Sequence, residues 1–208
     1  MTTTILVARH GQTNSNITGF YMGRSNEDLT EVGYTQAQRL SSRLACLPIA
    51  SVYTSPLRRA YATATILAEP HKLEPRVMEE LIEIHLGDWQ GLHMDEIRQR
   101  WPEVWRNWKS NPAGVIIPNG ESLAEVAERA IKAFRSIVNA NHGKRAAIVA
   151  HEAIAKMLVA HALQAPNSIY RRFEIGNASL SVIRVTNNNF RLERLNDTSH
   201  LEDGGLAT

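Results

Sequence analysis

Two histidines and two arginines carry the first chemical signal in this chain of 208 residues. Arg9-His10 follows an apolar run at residues 4–8, Arg59 stands shortly after a second run at 50–53, and His151 follows a third at 146–150. In an open α/β sheet, ligands bind in the crevice outside the carboxyl ends of the strands. If these strands are parallel neighbours, two imidazoles and two guanidiniums converge on one small volume, which is costly unless an anion neutralises it. A phosphoryl group fits. Arginine's planar fork matches phosphate oxygens, and a helix N-terminus after Ser55 would add backbone donors. A neutral imidazole can attack phosphorus near neutral pH without a separate base, so His10 needs only orientation, expected from a backbone carbonyl.

The elements that must position these residues follow from an alternation of β-branched apolar runs with segments of helical period, the pattern of a sheet covered by helices. Residues 4–8 form the first strand, and 12–29 a polar loop. Thr30 caps a helix with Ala37, Leu40, Leu44 and Leu47 on one face, ended by Pro48. After the strand at 50–53, Ser55-Pro56 reads as an N-cap and first-turn proline for a helix to about Glu69. The segment 94–109 holds Trp101, Trp105 and Trp108 at helical spacing, read as packing, with Pro102 opening a second short helix. Ser122 with Glu125 forms a capping box for a long helix that turns Val126, Ala130, Phe134, Ile137 and Val138 inward. The strand at 146–150 leads into a helical segment that ends before Pro166, and 178–185 with 190–195 form a hairpin across Asn187-Asn188-Asn189. The expected fold class is a three-layer α/β/α sandwich with a mostly parallel central sheet. With no linker or repeat, residues 1–208 read as a single domain with a loose tail around Gly204-Gly205.

Composition narrows the function classes. A hydrophobic share of 43%, a charged share of 21% and a net charge of +2 are those of a soluble globular chain. No stretch approaches the ~20 apolar residues of a membrane helix, and the apolar run before Arg9 is too short for a signal-peptide core. The basic residues are scattered, so neither nucleic acid nor a membrane is expected as a partner. Cys46 is the single cysteine, which leaves no intrachain disulfide or cysteine-built zinc site and fits the cytoplasm. His151-Glu152 lacks the second histidine of a zinc-protease helix, because position 155 is alanine. His71, His93, His142 and His161 read as surface or packed residues, as do Arg24 and Arg58; His85 and His200 stay open.

Ala8-Arg9-His10-Gly11-Gln12-Thr13, with Asn16 and Gly23, resembles the opening motif of the histidine phosphatase, or phosphoglycerate mutase-like, superfamily. Ser55-Pro56-Leu57-Arg58-Arg59-Ala60 with Thr63-Ala64 resembles its second block, and Leu81-Ile82-Glu83 with Gly87, Trp89 and Gly91 its third. Gly120-Glu121-Ser122 and Val149-Ala150-His151 follow in family order, with a weaker echo in 177–179 and 195–201. The resemblance implies a phosphoglycerate mutase-like fold and a phosphohistidine on His10. By the same resemblance Arg9, Arg59, His151 and Asn16 grip the phosphoryl oxygens, Glu83 is the proton donor, and no metal or cofactor takes part. The implied activity is hydrolysis of a small phosphomonoester.

The chain departs from the resemblance in informative places. Many relatives have glycine after the second histidine, where this chain has Glu152. The longer basic segment of the mutases after the proton-donor block is shorter here and carries tryptophans. The middle and C-terminal blocks are more similar to the small phosphatases, both metal-independent phosphoserine phosphatases and α-ribazole phosphatases. At the places where phosphoserine enzymes use a polar side chain and a histidine stand Met22 and Leu86. With Trp89 they would make an apolar mouth suited to a bulky or uncharged leaving group. A mutase and a catalytically inactive phosphate-ligand binding protein are the rival readings. Relatives are often dimers, and the terminal hairpin offers an edge for a homodimer.

Overall fold

The apolar runs that read as strands are covered on both faces, which is why they lack the alternation of a half-exposed strand. A computed structural model describes residues 1–202, so the expected loose tail around Gly204-Gly205 lies outside the described residues. In chain order the elements are β1 (Thr2–Arg9), α1 (Asn14–Thr18), β2 (Phe20–Tyr21), α2 (Glu31–Leu44), β3 (Ile49–Thr54), α3 (Arg58–Ala68), β4 (Arg76–Val77) and β5 (Leu92–His93). There follow α4 (Met94–Arg100), α5 (Pro102–Ser110), α6 (Leu123–Ala140), β6 (Arg145–Ala150), α7 (Glu152–Ala162), β7 (Leu180–Thr186) and β8 (Asn189–Asp197). On β1, Ile5 and Val7 join one hydrophobic cluster while Leu6 and Ala8 join the other, and β6 divides its residues in the same way. Helices α6 and α7 supply the first cluster, and α2 and α3 the second.

The main sheet has the order β4-β3-β6-β1-β7-β8. Its first four strands are parallel, and β7 and β8 add an antiparallel hairpin, so the expected three-layer, mostly parallel architecture is present. Register decides the rest. Arg9 stands beside Ala150, and Thr54 beside Val149. The residues just past these strands, His10, Ser55 and His151, are therefore level at one edge of the sheet. None of the described helices is long and apolar enough to cross a membrane.

Local signals acted largely as their chemistry demands. The Thr30 hydroxyl accepts from Gly33 N–H at 3.0 Å, and Ser122 with Glu125 closes the capping box of α6. The hairpin turns at Asn187 and Asn188, both in the left-handed region with φ of 49° and 62°, while Asn189 already begins β8. Several expectations need correction. Ser55 does not cap α3; that position is Leu57, and the Ser55 side chain is drawn into the site instead. Helix α2 ends at Leu44, short of Pro48, whereas α3 ends at Ala68, within a residue of the expected Glu69. Val138, as expected, packs against the core, at its partly buried margin. The loop at 12–29 contains α1 and β2, the latter paired with β5 in a two-stranded ribbon.

The start of α2 touches the loop after β1 without room for a side chain. A Cβ on Gly33 would lie 2.1 Å from Gln12 O, and one on Gly11 would lie 2.4 Å from Gly33 O. Both obstacles are backbone, so neither glycine tolerates alanine cheaply. Gly33→Ala is expected to lower the unfolding free energy by at least about 2 kcal/mol, measured by urea denaturation; a change within about 0.5 kcal/mol would show that this contact is slack.

Candidate active site

The strand ends set the first layer of the site. His10 N–H donates to Ala150 O at 3.0 Å, continuing the β1–β6 ladder by one residue. Its ring Nδ1 lies 2.7 Å from Gly11 O. A carbonyl only accepts, so Nδ1 carries the proton and Nε2 keeps its lone pair. Arg59 Nε donates to that lone pair at 3.3 Å. Burial, with Arg59 and then Arg9 beside it, holds the His10 imidazole well below its usual pKa, so the ring is neutral.

His151 stands behind His10, fully covered, with ring centroids 5.2 Å apart. Its Nε2 lies 2.7 Å from Ser55 Oγ, which accepts the Leu57 N–H at 3.2 Å. The other ring nitrogen of His151 is Nδ1. That atom is buried without a partner. Burial and Arg59 keep this ring neutral too. An unpartnered buried ring nitrogen beside a nucleophile is a position for a ligand to answer.

Arg59 sits in the first turn of α3, 4% exposed, and its terminal nitrogens donate to Ser25 O at 2.9 Å and Gly23 O at 2.7 Å. The loop after β2 thus aims the guanidinium at His10, and Gly23, at φ 49°, supplies one of the aiming carbonyls. Arg9 donates to Ile175 O at 2.7 Å and lies 3.5 Å from Glu152, while its Nε is buried and unpartnered. The Asn16 side-chain oxygen accepts from Thr13 N–H and from Asn177, at 3.0 and 2.9 Å, which leaves its amide nitrogen as a donor.

Glu83 follows the 3₁₀ turn at Glu79–Leu81, and its Oε1 accepts the Ile84 N–H at 2.8 Å. Burial pushes this carboxyl up, against the opposing pull of that N–H and of Arg59. Its backbone is clamped from behind. Arg24 and Arg129 each donate to Glu83 O at 3.2 Å, and both guanidiniums meet Glu121, which also accepts His85 N–H at 2.9 Å. Arg24 is therefore not the plain surface residue expected, whereas Arg58, its side chain 68% exposed and 3.8 Å from Asp28, lies at the surface.

A cavity of about 270 Å³ opens over these groups, lined by Arg9, His10, Asn16, Met22, Gly23, Arg59, Glu83 and Leu86. His151 lies beneath this lining. The expected mouth needs one correction: Trp89 is fully buried within an aromatic cluster, and Trp108 reaches the cavity in its place. The tryptophan segment is thus packing with one residue turned to the site. Sequence reasoning missed Ser55 as the partner of His151, Tyr170 and Arg171 as cavity walls, and Lys156, which is 3% exposed and pairs with Glu152 at 2.8 Å. Arg9 and Lys156 outweigh burial and hold the Glu152 carboxyl below the usual range.

Comparison with known proteins identifies the family. The histidine phosphatase superfamily (branch 1) matches residues 5–198, and the chain belongs to that superfamily. Phosphoserine phosphatase 1 of Hydrogenobacter thermophilus is 33% identical over 95% of this chain and 93% of its own length. The adenosylcobalamin/alpha-ribazole phosphatase of Escherichia coli is 28% identical over 90% and 93%. The solved structure of Bacillus stearothermophilus YhfR superposes with a TM-score of 0.93 at 34% identity, covering 96% of this chain and all of the other. Within the superfamily this chain falls with the small phosphatases, as a phosphoric monoester hydrolase.

Glu121 makes the clamp behind Glu83 testable. Glu121→Ala strands two partly buried guanidiniums and the His85 N–H, and should cost about 2 kcal/mol of stability in urea denaturation at neutral pH. The folded-state carboxyl is depressed by Arg129 and the His85 N–H despite its burial. Its contribution is present above the ordinary carboxylate pKa and is lost as pH falls through the lower folded value, so the deficit should shrink in acid. A deficit independent of pH would assign the effect to lost packing.

Proposed function

We propose that the protein hydrolyses a small phosphomonoester through a covalent phosphohistidine on His10, with Glu83 as general acid and then general base and no metal ion. The observation that carries this reading is the fixed tautomer of His10, which leaves a neutral Nε2 lone pair among arginines at a cavity wall. The phosphoryl dianion binds against Arg9 and Arg59, with the Asn16 amide and His151 Nδ1–H as further donors. These groups are preorganised for charge on the equatorial oxygens, and each is worth about 10²–10³ in turnover.

Nε2 attacks phosphorus as the ester P–O bond breaks, and protonated Glu83 gives its proton to the leaving oxygen, so an alcohol departs. The resulting carboxylate takes a proton from water, whose oxygen attacks the phosphorus. The P–N bond then breaks, Nε2 regains its lone pair and Glu83 its proton, and phosphate leaves. Relatives named for phosphoserine and for α-ribazole phosphate bracket the substrate as a phosphorylated metabolite. Met22, Leu86 and Tyr170 supply an apolar wall for its leaving group. The exposed, unpaired Cys46 fits a cytoplasmic setting.

Purified protein in excess chelator should release phosphate from p-nitrophenyl phosphate, and His10→Ala should abolish release; activity that survives the substitution or requires added metal overturns the reading. Faster interconversion of phosphoglycerates than release of phosphate would favour a mutase. The pH profile follows from the two shifted groups. His10, lowered, stays neutral below its ordinary pKa of 6.5, so kcat/KM should hold on the acid side and fall only at lower pH. Glu83, raised, keeps its proton above its ordinary 4.5, and kcat/KM should fall on the alkaline side as it ionises. Glu83→Gln should cost about 10²–10⁴ with an alkyl phosphate, and less for the first transfer from p-nitrophenyl phosphate, whose phenolate leaves unaided. Equal losses with both esters would remove Glu83 from the proton-donor role.

A further inference from the structure

Arg171 closes a 3₁₀ turn, Asn167–Arg171, that packs against α7 and borders the cavity. Its Nε donates to Trp108 O at 3.2 Å, and its guanidinium lies 5.7 Å from the Trp108 ring and 5.9 Å from the Tyr170 ring. An arginine held this way is oriented before any ligand arrives, which lowers the ordering cost of a planar, two-point contact. Tyr21, beside it, offers only a neutral hydroxyl.

The charges around the cavity do not cancel at this wall. Arg9 and Arg59 act on the His10 ring and are answered by a phosphoryl dianion. Glu152 is already met by Lys156 at 2.8 Å and by Arg9 at 3.5 Å. Glu83 enters the reaction as the neutral acid. Among the described residues no carboxylate lies within ion-pair distance of Arg171; Glu152 feels it only at longer range, and a second cation, Lys109, 4.5 Å from the Trp105 ring, feels it too. The two cations repel, and Arg171 contributes to holding the Lys109 amine below its ordinary pKa, after burial. Glu152 is shared among Arg9, Lys156 and this longer-range pull, so the two rim cations have no carboxylate in direct contact, and the cavity beneath them is where a ligand would bring one.

We propose that Arg171 anchors a carboxylate on the leaving group. The preferred ester is then an amphipathic acid, with its phosphoryl group at His10, its carbon skeleton along Met22, Leu86 and Tyr170, and its carboxylate on the Arg171 fork. This deepens the phosphatase reading and rests on it. It also separates two ideas joined in the sequence: the mouth is apolar at Met22 and Leu86, yet charged at the Trp108 wall.

A matched pair of probes, 4-carboxyphenyl phosphate and 4-carbamoylphenyl phosphate, tests the proposal, since the two differ in charge and little in shape. The readout is the ratio of their kcat/KM values, compared between variants so that intrinsic reactivity cancels. Arg171→Gln should lower the ratio of charged to neutral ester about tenfold, chiefly through KM, with Arg171→Lys retaining part of it. The wild-type ratio should also fall with added salt, because the rim is partly exposed. A ratio unchanged within about twofold in Arg171→Gln overturns the anchor even if both esters are hydrolysed. If neither ester is hydrolysed while His10 is intact, the phosphatase reading fails first.

Discussion

Two guanidiniums and two imidazoles occupy one buried corner, and the corner is tolerable only because both rings stay uncharged. The hydrogen bond from His10 Nδ1 to Gly11 O does more than orient a ring. It fixes which nitrogen is protonated, and so leaves a lone pair where Arg59 would otherwise face another cation. Ser55 Oγ, 2.7 Å from Nε2, holds the His151 ring in place. Protonating either ring would add a charge in a place already rich in them, and burial with the two arginines opposes that step.

The scaffold holds this corner from three directions. The level ends of β1, β3 and β6 bring the chain segments together, and the Thr63 hydroxyl bridges Gly11 N–H to Arg59 O, at 3.1 and 2.8 Å. Asn177 spans His10 O and the Asn16 side chain. The segment after β8 returns to secure that loop: His200 Nε2 donates to Ala178 O at 3.0 Å, and Arg43 on α2 binds Asp197 and Ser199. The echo at 195–201 is therefore a strap on the back of the site, and His200 is part of it. His161, by contrast, packs between Phe134 and Phe190.

What the sequence made legible has a common physical basis. Strands buried on both faces leave continuous apolar runs, and β1, β3 and β6 were visible for that reason. Residues that must follow such strands, His10 and His151, were visible with them. Thr30 and the Ser122–Glu125 pair act on neighbours within one turn, so their spacing alone announced them. Ser55 misled because Ser-Pro is a sound cap signal; its hydroxyl does accept the local Leu57 N–H, but it also meets the distant His151, and α3 begins only at Arg58. Arg24 gained its partners, Glu83 O and Glu121, across gaps of 59 and 97 residues. Trp89, in the turn at Gly87–Trp89, and Trp108, on α5, exchanged the places expected of them because their packing against each other is a tertiary contact that local spacing does not announce. Arg171 had no local signal at all; its meaning comes from Trp108, Tyr170 and a cavity that exists only in the folded chain.

The account stands or falls on which atom takes the phosphoryl group. Rapid quench of the protein with a phosphomonoester under alkaline conditions, followed by peptide mapping and ³¹P NMR, reads both the residue and the ring nitrogen. The account predicts a single acid-labile phosphohistidine at His10, bonded through Nε2 and formed no more slowly than turnover. A phosphoryl group on Nδ1 or on another residue, or turnover that proceeds with no phosphoenzyme on its path, would contradict it.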